Sequence, residues 1–277
     1  MSFRFSERHI QEYYSAGYTV FRGMLPSSLI ADLRHAINDK ALESVRRRWG
    51  AQAQRLQPIE SYDIDPRPFA NYKNLPALND ALTRVLSSRH KLAQPGFPLG
   101  TLGVLLEPAE SPWCTAWHRD WRDHLPLNLR DYWNTCFADR NLFNQVNCAL
   151  YADDCTWVVP DSHLRGDLPR EVAAFSNQPP RGPCLDGLSI EERELACLSY
   201  CRQMPGSVQL HLDSGDFALY RNTLWHLGNY VPYKKRATLH DTATTPEFDA
   251  WIRQIENLKA NKAERTIESS QLQEATR

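Results

Sequence analysis

The residues whose types and spacing suggest chemistry are His118-Arg119-Asp120. Side chains alternate along a strand, so on an extended segment His118 and Asp120 share one face and Arg119 takes the other. One strand then offers an imidazole and a carboxylate to a single point. A third ligand from a distant strand would complete two histidines and one carboxylate, a set that suits non-haem ferrous iron and leaves positions open for substrate and oxygen. His226, within 224-LWHLGNY, is the candidate. Arg236 opens the next strand-like run, where its guanidinium could clamp a carboxylate in fork geometry better than a lysine would.

A His-x-Asp pattern is short, and surface histidines beside aspartates are common. His211-x-Asp213 repeats it just before the Ser214-Gly215 turn, where a solvent-facing hairpin edge is the expectation. His118-Arg119-Asp120 also copies the kinase catalytic-loop tripeptide, with Asp216-Phe217-Ala218 downstream. That pattern needs leucine and asparagine where this chain has Trp121 and Leu125, and no Gly-rich phosphate loop precedes it, so a kinase is rejected.

The elements that must position these residues follow from periodicity. Leu29, Ile30, Leu33, Ala36 and Ile37 recur at helical spacing behind Pro26-Ser27-Ser28, where either serine is placed to cap the first turn. Leu78, Leu82, Val85 and Leu86 mark a second helix after Pro76. From about Phe97 the texture becomes short apolar or alternating runs bounded by Pro, Gly, Asn and Asp: 101-TLGVLLE, 114-CTAWHRDW, 145-QVNCALY, 156-TWVVP, 207-SVQLHL, 216-DFALY, 224-LWHLGNY and 236-RATLHD. Strands without helices alternating between them predict an antiparallel sandwich or barrel, mainly β with flanking helices. The divisions are a helical support over 1–96, a β core over 97–245 and a C-terminal helix and tail over 246–277. The stretch 164–206, with a helix over 190-IEERELACLSYC, interrupts the core and reads as a lid or binding loop. Phe248, Trp251, Ile252 and Ile255 set the last helix.

Charge and composition narrow the partners. Lys+Arg 32 against Asp+Glu 33 leaves no global field to draw the chain to nucleic acid or anionic lipid. No apolar run approaches the roughly 20 residues that span a bilayer, and Met1 to Tyr14 lacks the form of a signal peptide. A cytoplasmic protein with a small-molecule substrate is the expectation. Seven cysteines without a Cys-x-x-Cys pair read as reduced, mostly buried thiols.

Four blocks in order resemble the phytanoyl-CoA dioxygenase family: 10-IQEYYSAGYTVFRGMLPSSLIADLRHAI resembles its opening helix, GY strand and second helix; 117-WHRDW its iron-binding His-x-Asp; 157-WVVPDSH its V-P-G-S-H turn; and 215-GDFALYRNTLWHLGNYVPYKKRATLH its closing block. The resemblance implies a double-stranded β-helix, a cupin-like jelly roll. It also implies that His118, Asp120 and His226 bind iron(II) and that Arg236 pairs with the distal carboxylate of 2-oxoglutarate. O2 is then the oxidant, and succinate and CO2 are the co-products. Asp120 disfavours the halogenase variant, which leaves that ligand site for chloride.

Departures are visible too. Two residues after His226 the family often has serine, and this chain has Gly228; the turn is Pro160-Asp161-Ser162. A hydrogen bond to the keto acid is then absent or supplied elsewhere, with Asn147 either the substitute or a side chain satisfying local backbone. Trp121, Arg122 and Trp133, with Tyr132, Phe137, Arg130 and Arg140, form either an aromatic wall with guanidiniums for an apolar substrate bearing an acid group, or simply core. His124 is a substrate contact or a loop residue, His163 a structural turn residue, and His9, His35, His90 and His240 show no partner pattern. The 46-RRR run is either a rim for coenzyme A phosphates or a solvated helix face. The reading is an oxygenase hydroxylating or otherwise oxidising a small organic molecule. An acyl-CoA 2-hydroxylase and a metal-binding barrel without oxygenase activity are the alternatives.

Overall fold

The computed structural model describes residues 3–92, 102–123, 130–175 and 181–258. Ten strands are present among them: Tyr18–Phe21 (β1), Arg55–Leu56 (β2), Gly103–Leu106 (β3), Trp113–Cys114 (β4), Asn144–Ala149 (β5), Thr156–Val158 (β6), Val208–Gln209 (β7), Phe217–Arg221 (β8), His226–Tyr230 (β9) and Ala237–Thr242 (β10). They pair antiparallel in a large sheet of order β1-β8-β5-β10-β3-β2 and a small one of order β4-β9-β6-β7. This is the expected jelly roll, with helices packed outside it.

Alternation explains why the large sheet serves two surfaces. On β5, Val146 and Cys148 join the main apolar cluster with Leu33, Phe69 and Leu78 of the N-terminal helices. Gln145 and Asn147, one residue out of phase, face the interior cavity. Leu239 and His240 divide in the same way on β10, as do Leu219 and Tyr220 on β8.

The N-terminal part holds helices Glu7–Ala16 (α1), Ser27–Ala36 (α2), Asp39–Trp49 (α3), Arg67–Lys73 (α4) and Pro76–Val85 (α5). It is more than a helical support, because β1 and β2 supply both edges of the large sheet. In α2 the expected face is buried, but Pro26 occupies the cap position and neither serine caps the helix. Gly17 ends α1 at φ 82°, and a Cβ there would meet the His163 ring at 2.5 Å, so both conformation and space demand glycine. His163 thus packs between the turn after β6 and the α1 end, with its Nε2 3.2 Å from the Tyr14 carbonyl.

Arg130–Cys136 (α6), Pro169–Phe175 (α7), Ile190–Gln203 (α8) and a helix over 246–258 (α9) complete the described elements. The interruption at 164–206 departs from expectation. Cys201 and Met204, at and just beyond the end of α8, pack with Trp117, Trp157, Trp225 and Leu227 on the outer face of the small sheet. Among the described residues none of this stretch lines the interior cavity. It is an apolar cover for the sheet's back, because β6 and β9 put tryptophan and leucine on that side. Among the described residues no helix is long and apolar enough to cross a membrane.

Candidate metal centre

His118 and His226 face one another as an antiparallel bridge pair, exchanging both backbone hydrogen bonds at 3.1 and 3.0 Å. The strand-like run 114–121 is regular only at β4 and returns to pairing at His118. Beyond it, the Asp120 N–H donates to the Asn222 carbonyl at 2.9 Å, and the Trp133 indole donates to the Asp120 carbonyl at 3.2 Å. The expected alternation holds. His118 and Asp120 line the cavity, while Arg119 is fully buried behind them, donating to the Ser162 and Thr223 carbonyls and pairing with Asp167.

One ligand atom from each of His118, Asp120 and His226 lies within 4.8 Å of the others. The two Nε2 atoms are 3.5 and 3.6 Å from the Asp120 carboxylate oxygens. Each Nδ1 lies against a carbonyl, Ala116 at 2.8 Å and Leu224 at 2.9 Å, so it carries the proton and leaves the Nε2 lone pair toward the common point. Burial would raise the Asp120 carboxyl, but His226 and His118 beside it hold it well below the usual range. Two imidazoles and one carboxylate are the donor set for a divalent first-row metal with open positions.

Arg236 lines the same cavity, of about 660 Å³. Its Nε donates to Asp153 Oδ2 at 2.9 Å, its guanidinium stands over the Tyr230 ring at 5.1 Å, and its buried Nη1 has no hydrogen-bond partner among the described residues. A buried donor without a partner is costly unless a ligand satisfies it, and a carboxylate fits. Asp153 is itself held by Thr238 and by the Cys155 N–H at 2.8 Å. Burial opposes charge on both members of the pair, yet each keeps the other ionised: Asp153 is lowered and Arg236 raised.

A third wall is polar. The His240 Nδ1 is 2.8 Å from Asn147 Oδ1 and its Nε2 is 2.9 Å from Gln145 Nε2, while Asn147 Nδ2 donates to Thr156 Oγ1 at 3.1 Å. These partners assign the proton to Nδ1, and burial, then Arg55, lowers the His240 pKa well below 6.5, so the ring is neutral. Gln57 lies over Gly103, where a Cβ would meet its side chain at 2.8 Å.

Of the other residues singled out in the sequence, Asn147 and Trp121 line the cavity, and Trp133 and Arg122 do not. Trp133 packs with Phe143, Phe248 and Ile252, and Arg122 is bound to Asp123 and Asp167. His124 and the side chains of Arg130 and Tyr132 lie outside the described residues. The 46-RRR arginines sit in the last turn of α3, where Arg46 and Arg47 pair with Glu107 and Glu43 and Arg48 stands over Trp49; none lines the cavity. His240, which shows no partner pattern in the sequence, is in fact bound to Asn147 and Gln145, and Tyr230 and Asp153 carry no motif of their own in the sequence. Alternation counted from Arg236 to His240, and from His226 to Tyr230, would have put His240 and Tyr230 inside.

The phytanoyl-CoA dioxygenase (PhyH) family model matches residues 13–229, a span that holds His118, Asp120 and His226 and stops before Arg236. No curated protein sequence matches. Among solved structures, AviO1 from Streptomyces viridochromogenes Tue57 is 14% identical with a TM-score of 0.53, over 86% of this chain and 96% of that one. The alpha-ketoglutarate-dependent carbocyclase SnoK from nogalamycin biosynthesis is 18% identical with a TM-score of 0.50, over 87% and 85%. The non-heme monooxygenase ThoJ, in its nickel complex, is 16% identical with a TM-score of 0.50, over 85% and 76%. These likenesses show the fold. With the family match over most of its length, the chain belongs to the phytanoyl-CoA dioxygenase family and is a 2-oxoglutarate-dependent non-haem iron enzyme that uses iron(II), 2-oxoglutarate and O2.

Proposed function

We propose that His118, Asp120 and His226 hold the iron, that Arg236 takes the distal carboxylate of 2-oxoglutarate, and that the enzyme hydroxylates or otherwise oxidises a small organic molecule. The observation that carries this reading is a converging His-Asp-His set and a buried, half-partnered guanidinium in one cavity. When bound, the iron supplies oxidising power from O2 and the keto acid, whose other products are succinate and CO2. The chain's own part is to orient. The Ala116 and Leu224 carbonyls fix the two imidazoles, Asp153 aims Arg236, and Trp121 and the Gln145–His240–Asn147 wall frame the substrate space.

That wall suits a molecule carrying hydroxyl or carbonyl groups, since amide and neutral imidazole groups offer hydrogen bonds without charge. A natural-product intermediate, the substrate class suggested by the likeness to the carbocyclase SnoK from nogalamycin biosynthesis, suits this wall. The 46-RRR arginines do not line the cavity and are engaged with Glu107, Glu43 and Trp49, so the run lends no support to a coenzyme A phosphate rim.

The test is anaerobic titration of the metal-free protein with iron(II) and then 2-oxoglutarate, followed by the visible charge-transfer band. The wild type should develop the band. His118→Ala and His226→Ala should lose it together with succinate formation. Full 2-oxoglutarate turnover by either variant would sink the assignment.

A further inference from the structure

Gly228 sits mid-strand in β9 on the inward face shared by His226 and Tyr230. A Cβ at this glycine would stand 2.4 Å from the Tyr230 hydroxyl and 2.7 Å from the ring carbon bearing it. The tyrosine therefore folds back along its own strand into the space that any side chain at 228 would fill. Its ring has two close partners: Trp113 stacks on it at 4.7 Å between centroids with an 18° interplanar angle, and the Arg236 guanidinium stands over it at 5.1 Å. The residue is only 6% exposed and lines the cavity. The same cavity is lined by Arg236, whose Nη1 is unpartnered among the described residues.

We propose that Tyr230 is a co-substrate-binding residue whose hydroxyl donates to the carboxylate that Arg236 clamps, and that Gly228 is required because it makes room for that hydroxyl. The proposal rests on the reading that 2-oxoglutarate binds at Arg236. Two donors from different directions, a planar guanidinium and a phenol clamped by stacking, fix a carboxylate's position and its rotation. The phenol is suited to donate and not to accept charge, because burial pushes its pKa up to about 12. A ring already packed against an indole and a guanidinium also loses little freedom when the ligand arrives.

The experiment is calorimetric titration of 2-oxoglutarate into the anaerobic, iron(II)-loaded full chain, with the charge-transfer band as a second readout and thermal melting to verify folding. Tyr230→Phe keeps the ring and its stacking, and should weaken 2-oxoglutarate binding about tenfold, the value of one hydrogen bond to a charged group, with iron affinity unchanged. Gly228→Ser alone should weaken it similarly by displacing the ring. In a Tyr230→Ala background the same Gly228→Ser change should strengthen binding, since the serine then has space and brings a hydroxyl of its own. Wild-type affinity in Tyr230→Phe overturns the proposal, and an equal loss from Gly228→Ser in both backgrounds overturns the role of the glycine. If Arg236→Ala loses binding while Tyr230→Phe keeps it, the site reading stands and this inference falls. If the iron-loaded wild type binds no 2-oxoglutarate, both fall together.

Discussion

At the scale of single residues, the site is organised by groups that never touch the metal. Asp153 is the clearest, since it is buried, takes the Arg236 Nε and is braced by Thr238 and the Cys155 amide. Replacing it by asparagine leaves a buried guanidinium without its counter-ion, a change that costs about 3 kcal/mol in comparable pairs. Asp153→Asn should therefore lower the urea midpoint and also weaken 2-oxoglutarate binding by roughly tenfold as the fork loses its aim. Unchanged affinity in a destabilised variant would mean that Asp153 serves folding alone. The convergence of His118 and Asp120 was legible in the sequence because it is local: alternation puts both on one face without any knowledge of the fold. Asp153 was not, because an aspartate in 152-ADDC has no signal until the fold places Arg236 beside it.

At the scale of elements, strand positions were readable and helix roles less so. Every run read as a strand contains a strand or the bridge at His118, because strands covered by helices on one side and a cavity on the other must be apolar on alternate positions. The role of 164–206 was not readable, since the tryptophans that α8 covers lie on distant strands. The junction of α1 and β1 depends on Gly17, where conformation and clearance from His163 both exclude a side chain. Gly17→Ala should destabilise the fold by roughly 2–4 kcal/mol, a left-handed alanine plus a steric contact. Equilibrium urea unfolding reads this directly, and a loss below about 1 kcal/mol would show that His163 can move aside.

At the scale of the whole molecule, three histidines are kept neutral by burial. His90 and His163 are pushed down to about 4, and His240 lies well below 6.5. The unfolded chain takes up protons at these rings near pH 6.5 while the folded chain does not. Their contribution is therefore fully present above that pH and is lost as the pH falls from about 6.5 toward 4. Asp153 and Glu171, both lowered on folding, act in the same direction at still lower pH. Stability measured by urea midpoint should decline steadily from pH 7 to pH 4.5, with proton uptake on unfolding. A midpoint flat over that range would mean that these rings titrate as free histidines.

The outermost strand of the large sheet has two residues, yet Arg55 at its start and Gln57 just beyond it help to wall the cavity, with Gly103 left bare beneath Gln57. Among the described residues no further strand pairs outside it, so positions 55 and 57 can change without re-registering any of these neighbours. The proposed iron ligands lie on β9 and the segment that follows β4. The molecule thus separates what must stay constant for oxidation from what can drift, and new substrate preferences can be acquired at this border while the chemistry continues.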